Sequence, residues 1–389
     1  MMLFCYFVFW GCVGFILYTY FGYPILLFLT SGKKQRVYTG ETPRVTLMVL
    51  AHNEGAVIQD KIDNCLALDY PDHLRQILVV TDGSTDDTPA IVEAHIPRGV
   101  ELCHEPERKG KMAAIIRAMA YARGEIVVFS DANNMYDPFA VRELVAPFED
   151  PGVGCTTGAK LIAHGDGSLG ASEGLYWRYE SFIRRHETQL GCCTGVNGEI
   201  MALRKSLFNA PPHTRLNDDL YMAMYVIKAG YNVIYTPKAR SYERVSASAG
   251  DEVERRTRIV ALRYQLMALG PRLLPLERPR VFWQIVSHKF CRPLVPFAMI
   301  GAFGANFMAV LPGMGGGIWA AFAMALQVGF YLLALVGNRF AAHHKIGKIC
   351  YLPTFLVNSN FASFLGFLRF VSGGQGALWE RIERNRNKV

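Results

Sequence analysis

Gln76-Ile-Leu-Val-Val-Thr-Asp-Gly-Ser-Thr-Asp86 is an apolar, β-branched run that stops at an acid and a turn. Two other runs share this form. Val45-Thr-Leu-Met-Val-Leu-Ala51 is closed by Asn53-Glu54, and Glu125-Ile-Val-Val-Phe-Ser130 is followed by Asp131-Ala-Asn133. Each has the length and composition of a strand buried on both faces. Val100 to His104 adds a short strand, and helical patterns fill the intervals near 56–68, 87–94 and 109–123. This alternation predicts an α/β domain with a mostly parallel sheet and helices on both faces. In such sheets ligands bind outside the carboxyl ends of the strands. Asn53, Glu54, Asp82 and Asp131 therefore converge on one crevice. Singly, each is an ordinary turn or cap residue; at equivalent strand ends they form a candidate site.

The flanks differ in kind. Of 389 residues, 51% are hydrophobic and only 19% charged, with 41 Lys+Arg against 33 Asp+Glu. That balance excludes disorder, and no internal repeat is visible. Met1 to Gly32 and Pro293 to Asn338 contain no Asp, Glu, Lys or Arg, and each is long enough to cross a bilayer. The expected order is a transmembrane helix over 1–32, a soluble domain over 40–250, and a basic interfacial segment over 251–292. A transmembrane hairpin over 293–338 turns near Pro312, a fourth span or re-entrant helix covers 349–371, and a basic tail covers 372–389. Lys33, Lys34 and Arg36 directly follow the first tract, so the positive-inside rule places the domain on the cytoplasmic side of the plasma membrane. A cleavable signal peptide fits poorly, because no basic region precedes the tract and no small-residue cleavage site follows. Nine scattered cysteines include no C-x-x-C pair for zinc or redox chemistry.

The motifs, taken in order, resemble those of the inverting family 2 glycosyltransferases. They are Ala51-His-Asn-Glu54, Leu68-Asp-Tyr-Pro71, Val79-Val-Thr-Asp-Gly-Ser-Thr-Asp86, Arg108-Lys-Gly-Lys111 and Phe129-Ser-Asp-Ala-Asn133, then Gly195-Val-Asn-Gly198, Asn217-Asp-Asp219 and Arg255-Arg-Thr-Arg258. The membrane-embedded branch with cellulose, hyaluronan and poly-N-acetylglucosamine synthases is the most similar. The resemblance implies a GT-A-like (Rossmann-like) domain with transmembrane helices. It implies transfer of a sugar, with inversion, from a nucleotide sugar (a UDP-sugar by preference) to a growing exopolysaccharide or capsular-type glycan. By the same resemblance Asn53, Glu54, Asp82, Lys111, Asp131 and Arg255 contact the donor. Asp219 is the general base with Asp218 beside it, and Arg258 grips the pyrophosphate. Asp131 and Asn133 occupy the family's Asp-x-Asp positions for Mg²⁺ or Mn²⁺, Asn133 being a departure with a neutral oxygen. Ile259 stands where the family has an acceptor-facing tryptophan, and Trp177 lies in an aromatic cluster suited to an acceptor sugar.

The residues alone allow plainer readings. Lys111 fits a solvated helix face, Asp218 and Asp219 suit the dipole of a helix start, and Tyr176-Trp177 fit a core. Two rival functions remain open at this level: transfer of a single sugar to a lipid acceptor such as a polyprenyl phosphate, and a catalytically silent synthase subunit. Nine Lys/Arg with aromatics between Arg255 and Arg292 would suit nucleic acid. That partner is set aside because the cluster runs into a membrane span. The expected partners are the donor, a glycan or lipid-linked acceptor, the bilayer, and export or synthase subunits.

Overall fold

A computed structural model describes residues 2–32, 38–162, 167–211, 218–243, 249–313, 315–340 and 345–373. Lys33, Lys34, Arg36, Asn217, His343, His344 and the basic tail lie outside the described residues. Eight strands form one sheet: β1 (Val45–Ala51), β2 (Arg75–Asp82), β3 (Val100–Glu105), β4 (Ile126–Asp131), β5 (Met135–Tyr136), β6 (Val153–Ile162), β7 (Met201–Arg204) and β8 (Asn232–Glu243). Their order is β3-β2-β1-β4-β7-β6-β8-β5. β1 runs parallel to β2 and β4, and β2 to β3, as the apolar runs predict. The second half is mixed: β7 is antiparallel to β4 and β6, β6 is parallel to β8, and β5 is antiparallel to β8.

Alternation along β1 divides the core. Leu47 and Val49 pack with Ile58, Ile62 and Val141 on one face. Met48 and Leu50 pack with Met112, Ile115, Leu220 and Tyr221 on the other. That second core continues into Leu266, Val281 and Ile285, so helices Ala249–Ala268 and Pro279–Ile285 are part of the domain's own interior. Burial of these side chains stabilises the arrangement by roughly 1.5–3 kcal/mol each.

Three helices among the described residues are long and apolar enough to cross a membrane: Met2–Thr30, Pro279–Val310 and Gly317–Gly337. The second begins within the basic segment, earlier than the expected 293. The expected fourth segment is a helix, Lys345–Val371, outside that apolar set. Its polar residues have partners instead. Ser359 Oγ accepts from Arg256 Nη1 at 3.0 Å, and Asn360 Nδ2 donates to Tyr20 Oη at 2.9 Å. This helix covers the arginine-bearing helix Ala249–Ala268, and Gly366 allows the approach: a Cβ there would stand 2.9 Å from Thr257 O. Buried Glu187 joins three elements. Its carboxylate accepts from Tyr23 Oη (2.5 Å), the Thr194 amide (2.8 Å) and Thr194 Oγ1 (2.9 Å), and lies 2.8 Å from His288 Nδ1.

The turn after β2 has a backbone constraint that the sequence obeys. Gly83 has φ +63°, and a Cβ there would stand 2.7 Å from Arg108 N and Cα. Gly83→Ala is expected to cost about 2–4 kcal/mol through left-handed strain and overpacking. Thermal unfolding of the purified variant should show a clear drop; an unchanged melting temperature contradicts the constraint.

Candidate functional site

The strand ends meet as the sequence predicts. His52 Nδ1 lies 2.7 Å from Asp82 O, the Asn53 amide donates to Ser84 Oγ (3.2 Å), and Asn53 Oδ1 accepts the Thr85 amide (2.8 Å). Asn53 has φ +55°, a left-handed conformation that asparagine tolerates better than most residues. The Glu54 amide donates to Thr88 Oγ1 and the Gly55 amide to Asp86 Oδ2, both at 2.9 Å. The loops after β1 and β2 thus form one floor. Asp82 fixes the next element: its Oδ2 accepts the amides of Lys109 (3.0 Å) and Gly110 (2.7 Å) just before helix Lys111–Met119. Its Oδ1 is buried with no hydrogen-bond partner, 3.6 Å from Arg117 Nη1.

Lys111 opens that helix and reaches across the strand ends. Its Nζ lies 2.9 Å from Asp131 Oδ1 and 3.5 Å from Asp218 Oδ2. Burial works against its charge, yet Asp131 and Asp218 hold the ammonium above the usual lysine range. A solvated helix face is therefore the wrong picture for Lys111. Asp218 and Asp219 begin helix Asp218–Lys228, as the acid pair predicts. Asp219 Oδ2 accepts the Gly198 amide (3.1 Å) and Oδ1 its neighbour's amide at Leu220 (2.7 Å). Gly198 permits this approach, because a Cβ there would stand 3.0 Å from Asp219 Cβ. Burial and the adjacent Asp218 push the Asp219 carboxyl up to about 6, with Lys111 and the two amides opposing. A carboxylate of that strength can take a proton near neutral pH.

Helix Ala249–Ala268 holds Arg255, Arg258 and Ile259, all half-buried. Arg263 on the same helix was not singled out by sequence reasoning, and it lies within electrostatic reach of Asp219. Trp177 has an engaged ring, with Lys160 Nζ 5.4 Å and Arg184 Cζ 5.6 Å from its centre. Asn134 was also missed. Fully buried, it donates to Glu199 O (2.8 Å) and Ser241 Oγ (2.7 Å), which ties the loop after β4 to the second half of the sheet. Its neighbours Asp131 and Asn133 offer one carboxylate and one amide oxygen. Among the described residues no group of three or more His, Cys, Asp or Glu side chains is placed to hold a metal. A Mg²⁺ or Mn²⁺ that draws other oxygens from phosphates and water still fits so sparse a set.

Residues 46–209 match the family model described as Glycosyl transferase family 2. The chain carries a family 2 glycosyltransferase domain. It is 25% identical over 248 residues to the poly-beta-1,6-N-acetyl-D-glucosamine synthase of Staphylococcus aureus (strain COL), covering 61% of this chain and 59% of that one. The synthase of the same name from Staphylococcus epidermidis is 23% identical over 223 residues, covering 55% and 53%. The aligned region thus spans under two thirds of those relatives. A mannosyltransferase from Pyrobaculum calidifontis, solved with GDP-Man and Mn²⁺, superposes with a TM-score of 0.66 at 22% identity, covering 91% of this chain and 97% of that one. This likeness is one of fold, and it extends past the glycosyltransferase domain into the flanking helices.

The Asp219 environment has a kinetic signature. Turnover should show an acid limb near pH 6, falling about tenfold per pH unit below it as the carboxylate is protonated. Lys111→Met removes the cation that favours the ionised form, so the limb should move to higher pH. A limb that stays in place in this variant would remove Lys111 from the site's electrostatics.

Proposed function

We propose that the domain transfers a sugar from a nucleotide sugar, with inversion, to a hydroxyl of a membrane-associated glycan of exopolysaccharide type. The observation that carries this reading is the half-buried Asp219 carboxylate, raised to about 6, beside the Lys111–Asp131 pair at the ends of the parallel strands. Inverting displacement needs one base on the face opposite the leaving nucleotide. Asp219 removes the acceptor proton, and the Gly198 and Leu220 amides fix its orientation. Asp218 and Asp131 hold Lys111, whose ammonium is placed to meet donor phosphate charge. Asn53, Glu54 and Asp82 form the wall against which the nucleotide packs, Arg258 and Arg255 supply guanidinium groups for the pyrophosphate, and Ile259 and Trp177 lie toward the acceptor. The synthase likeness favours a UDP-sugar donor.

Asp131 and Asn133 would hold a divalent ion, which supplies charge neutralisation for the departing diphosphate. The domain faces the cytoplasm, where nucleotide sugars are made, and the apolar helices anchor it in the plasma membrane. A catalytically silent subunit is disfavoured, because a half-buried carboxylate with its pKa raised and its own cation works against stability unless it is used.

Asp219→Asn keeps shape and loses proton acceptance. Turnover should fall by about 10²–10⁴-fold while donor binding persists. Loss of folding is separable. The raised carboxyl means that ionising Asp219 opposes the fold, a penalty absent at low pH and growing as pH rises through about 6. At neutral pH the asparagine variant should therefore melt no lower than wild type, and near-normal turnover would remove Asp219 from the mechanism. For the metal, EDTA should abolish transfer, and Asn133→Asp should lower the Mn²⁺ concentration needed to restore it. Transfer that is indifferent to EDTA contradicts the metal assignment.

A further inference from the structure

A second cluster of charge lies where the domain meets the apolar helices. Arg184 on helix Gly167–Gln189, Arg263 on helix Ala249–Ala268, and Lys289 and Arg292 at the start of the uncharged stretch surround two carboxylates, Glu180 and Glu187. The acids are already satisfied. Glu187 is consumed by Tyr23, Thr194 and His288. Glu180 takes an ion pair from Arg292, with His288 Nε2 at 3.3 Å and Arg184 Nη2 at 3.7 Å. Three guanidinium groups and the Lys289 ammonium thus face two anions. Lys160, which also lies over the Trp177 ring, is matched by its own acids, Glu199 at 3.1 Å and Glu243.

The surplus is visible atom by atom. Arg184 Nε, Arg263 Nε, Arg292 Nε and Nη2, and Trp177 Nε1 are all buried with no hydrogen-bond partner. Each is an N–H donor. Lys289 Nζ and Arg184 Nε converge on Gly195, 2.6 and 3.2 Å from the point where a Cβ would stand. Buried guanidinium N–H donors left without acceptors are costly, and a purely structural core gains nothing from them. A multi-oxygen anion is the complement of such a set.

Position indicates which anion. Lys289 and Arg292 lie inside the apolar helix Pro279–Val310 and directly precede its uncharged part, which starts at Pro293, a position that favours the phosphate of a lipid. Gly195 is three residues from Gly198, whose amide holds the base, so the cluster lies within about 10 Å of chain from that amide. Arg263 reaches Asp219 electrostatically. The donor side, with Lys111, Asp131 and Asp82, belongs to different elements.

We propose that Arg184, Arg263, Lys289 and Arg292 form a phosphate site at the bilayer edge that holds the lipid-borne phosphate of the acceptor. The term acceptor rests on the transferase reading; the phosphate site does not. The acceptor hydroxyl then reaches Asp219 while its lipid tail runs along the apolar helices.

The test is a titration of full-length protein in a phosphate-free maltoside detergent, with no donor present. The probes are a polyprenyl monophosphate, the polyprenol of equal length, phosphatidic acid and inorganic phosphate. Saturable binding of the polyprenyl phosphate is expected, at least tenfold tighter than the polyprenol or phosphatidic acid and far tighter than inorganic phosphate. Lys289→Gln and Arg263→Gln should each weaken it at least tenfold, and their lipid-free melting temperatures should match or exceed that of wild type. Equal binding of alcohol and phosphate overturns the site, as do variants that melt lower yet bind unchanged. Phosphatidic acid binding as tightly overturns the acceptor assignment, and inorganic phosphate binding as tightly overturns the lipid source. Asp219→Asn should bind the lipid phosphate normally, so failure of this site and failure of the base assignment are read in separate experiments.

Discussion

The Lys111 ammonium between Asp131 and Asp218 is the interaction that the site depends on. It joins the end of β4 to the start of helix Asp218–Lys228, two segments far apart in sequence. Without a cation there, Asp131, Asp218 and Asp219 would bring three carboxylates into one half-buried space. With it, Asp219 stays ionisable near neutral pH while burial and Asp218 keep it basic. Asp82 contributes indirectly, since its carboxylate fixes the backbone from which Lys111 projects.

A second dependence runs through the contact between the domain and the apolar helices. The core that holds Met112 and Leu220 is continuous with Leu266, Val281 and Ile285, and Glu187 joins the first apolar helix to the domain and to His288. The face that carries the candidate site therefore cannot be detached from the apolar helices without opening a core and stranding a buried acid. Fold similarity that covers 91% of the chain, beyond the residues of the family match, is what such continuity would produce.

How much of this was legible depended on locality. β1, β2 and β4 announced themselves because strands buried on both faces are continuous apolar runs, and their ends located Asn53, Asp82 and Asp131 by a general rule of parallel sheets. β6 and β8 did not, because Thr156, Gly158 and Lys160 in one, and Pro237, Lys238 and Arg240 in the other, break both the apolar run and the alternation. The acid pair at 218–219 taken alone fits a helix start, and the resemblance marked it as functional; the approach of Gly198 and Lys111 to it is tertiary and had no local signal. Arg184, Arg263 and Lys289 were invisible as a group. They come from three separate segments, and what marks the group is the Arg184 and Arg263 N–H donors left unmatched after Glu180 and Glu187 are satisfied. The polarity of Lys345–Val371 was read correctly, but its cause, pairing with Arg256 and Tyr20, required the packed structure.

The central claim is a single displacement assisted by one half-buried carboxylate. The measurement that tests it most directly is the anomeric configuration of the first linkage formed, followed by NMR from a nucleotide sugar of known configuration under single-turnover conditions. The account predicts a linkage of opposite configuration to the donor. A linkage with the donor's configuration retained would contradict it.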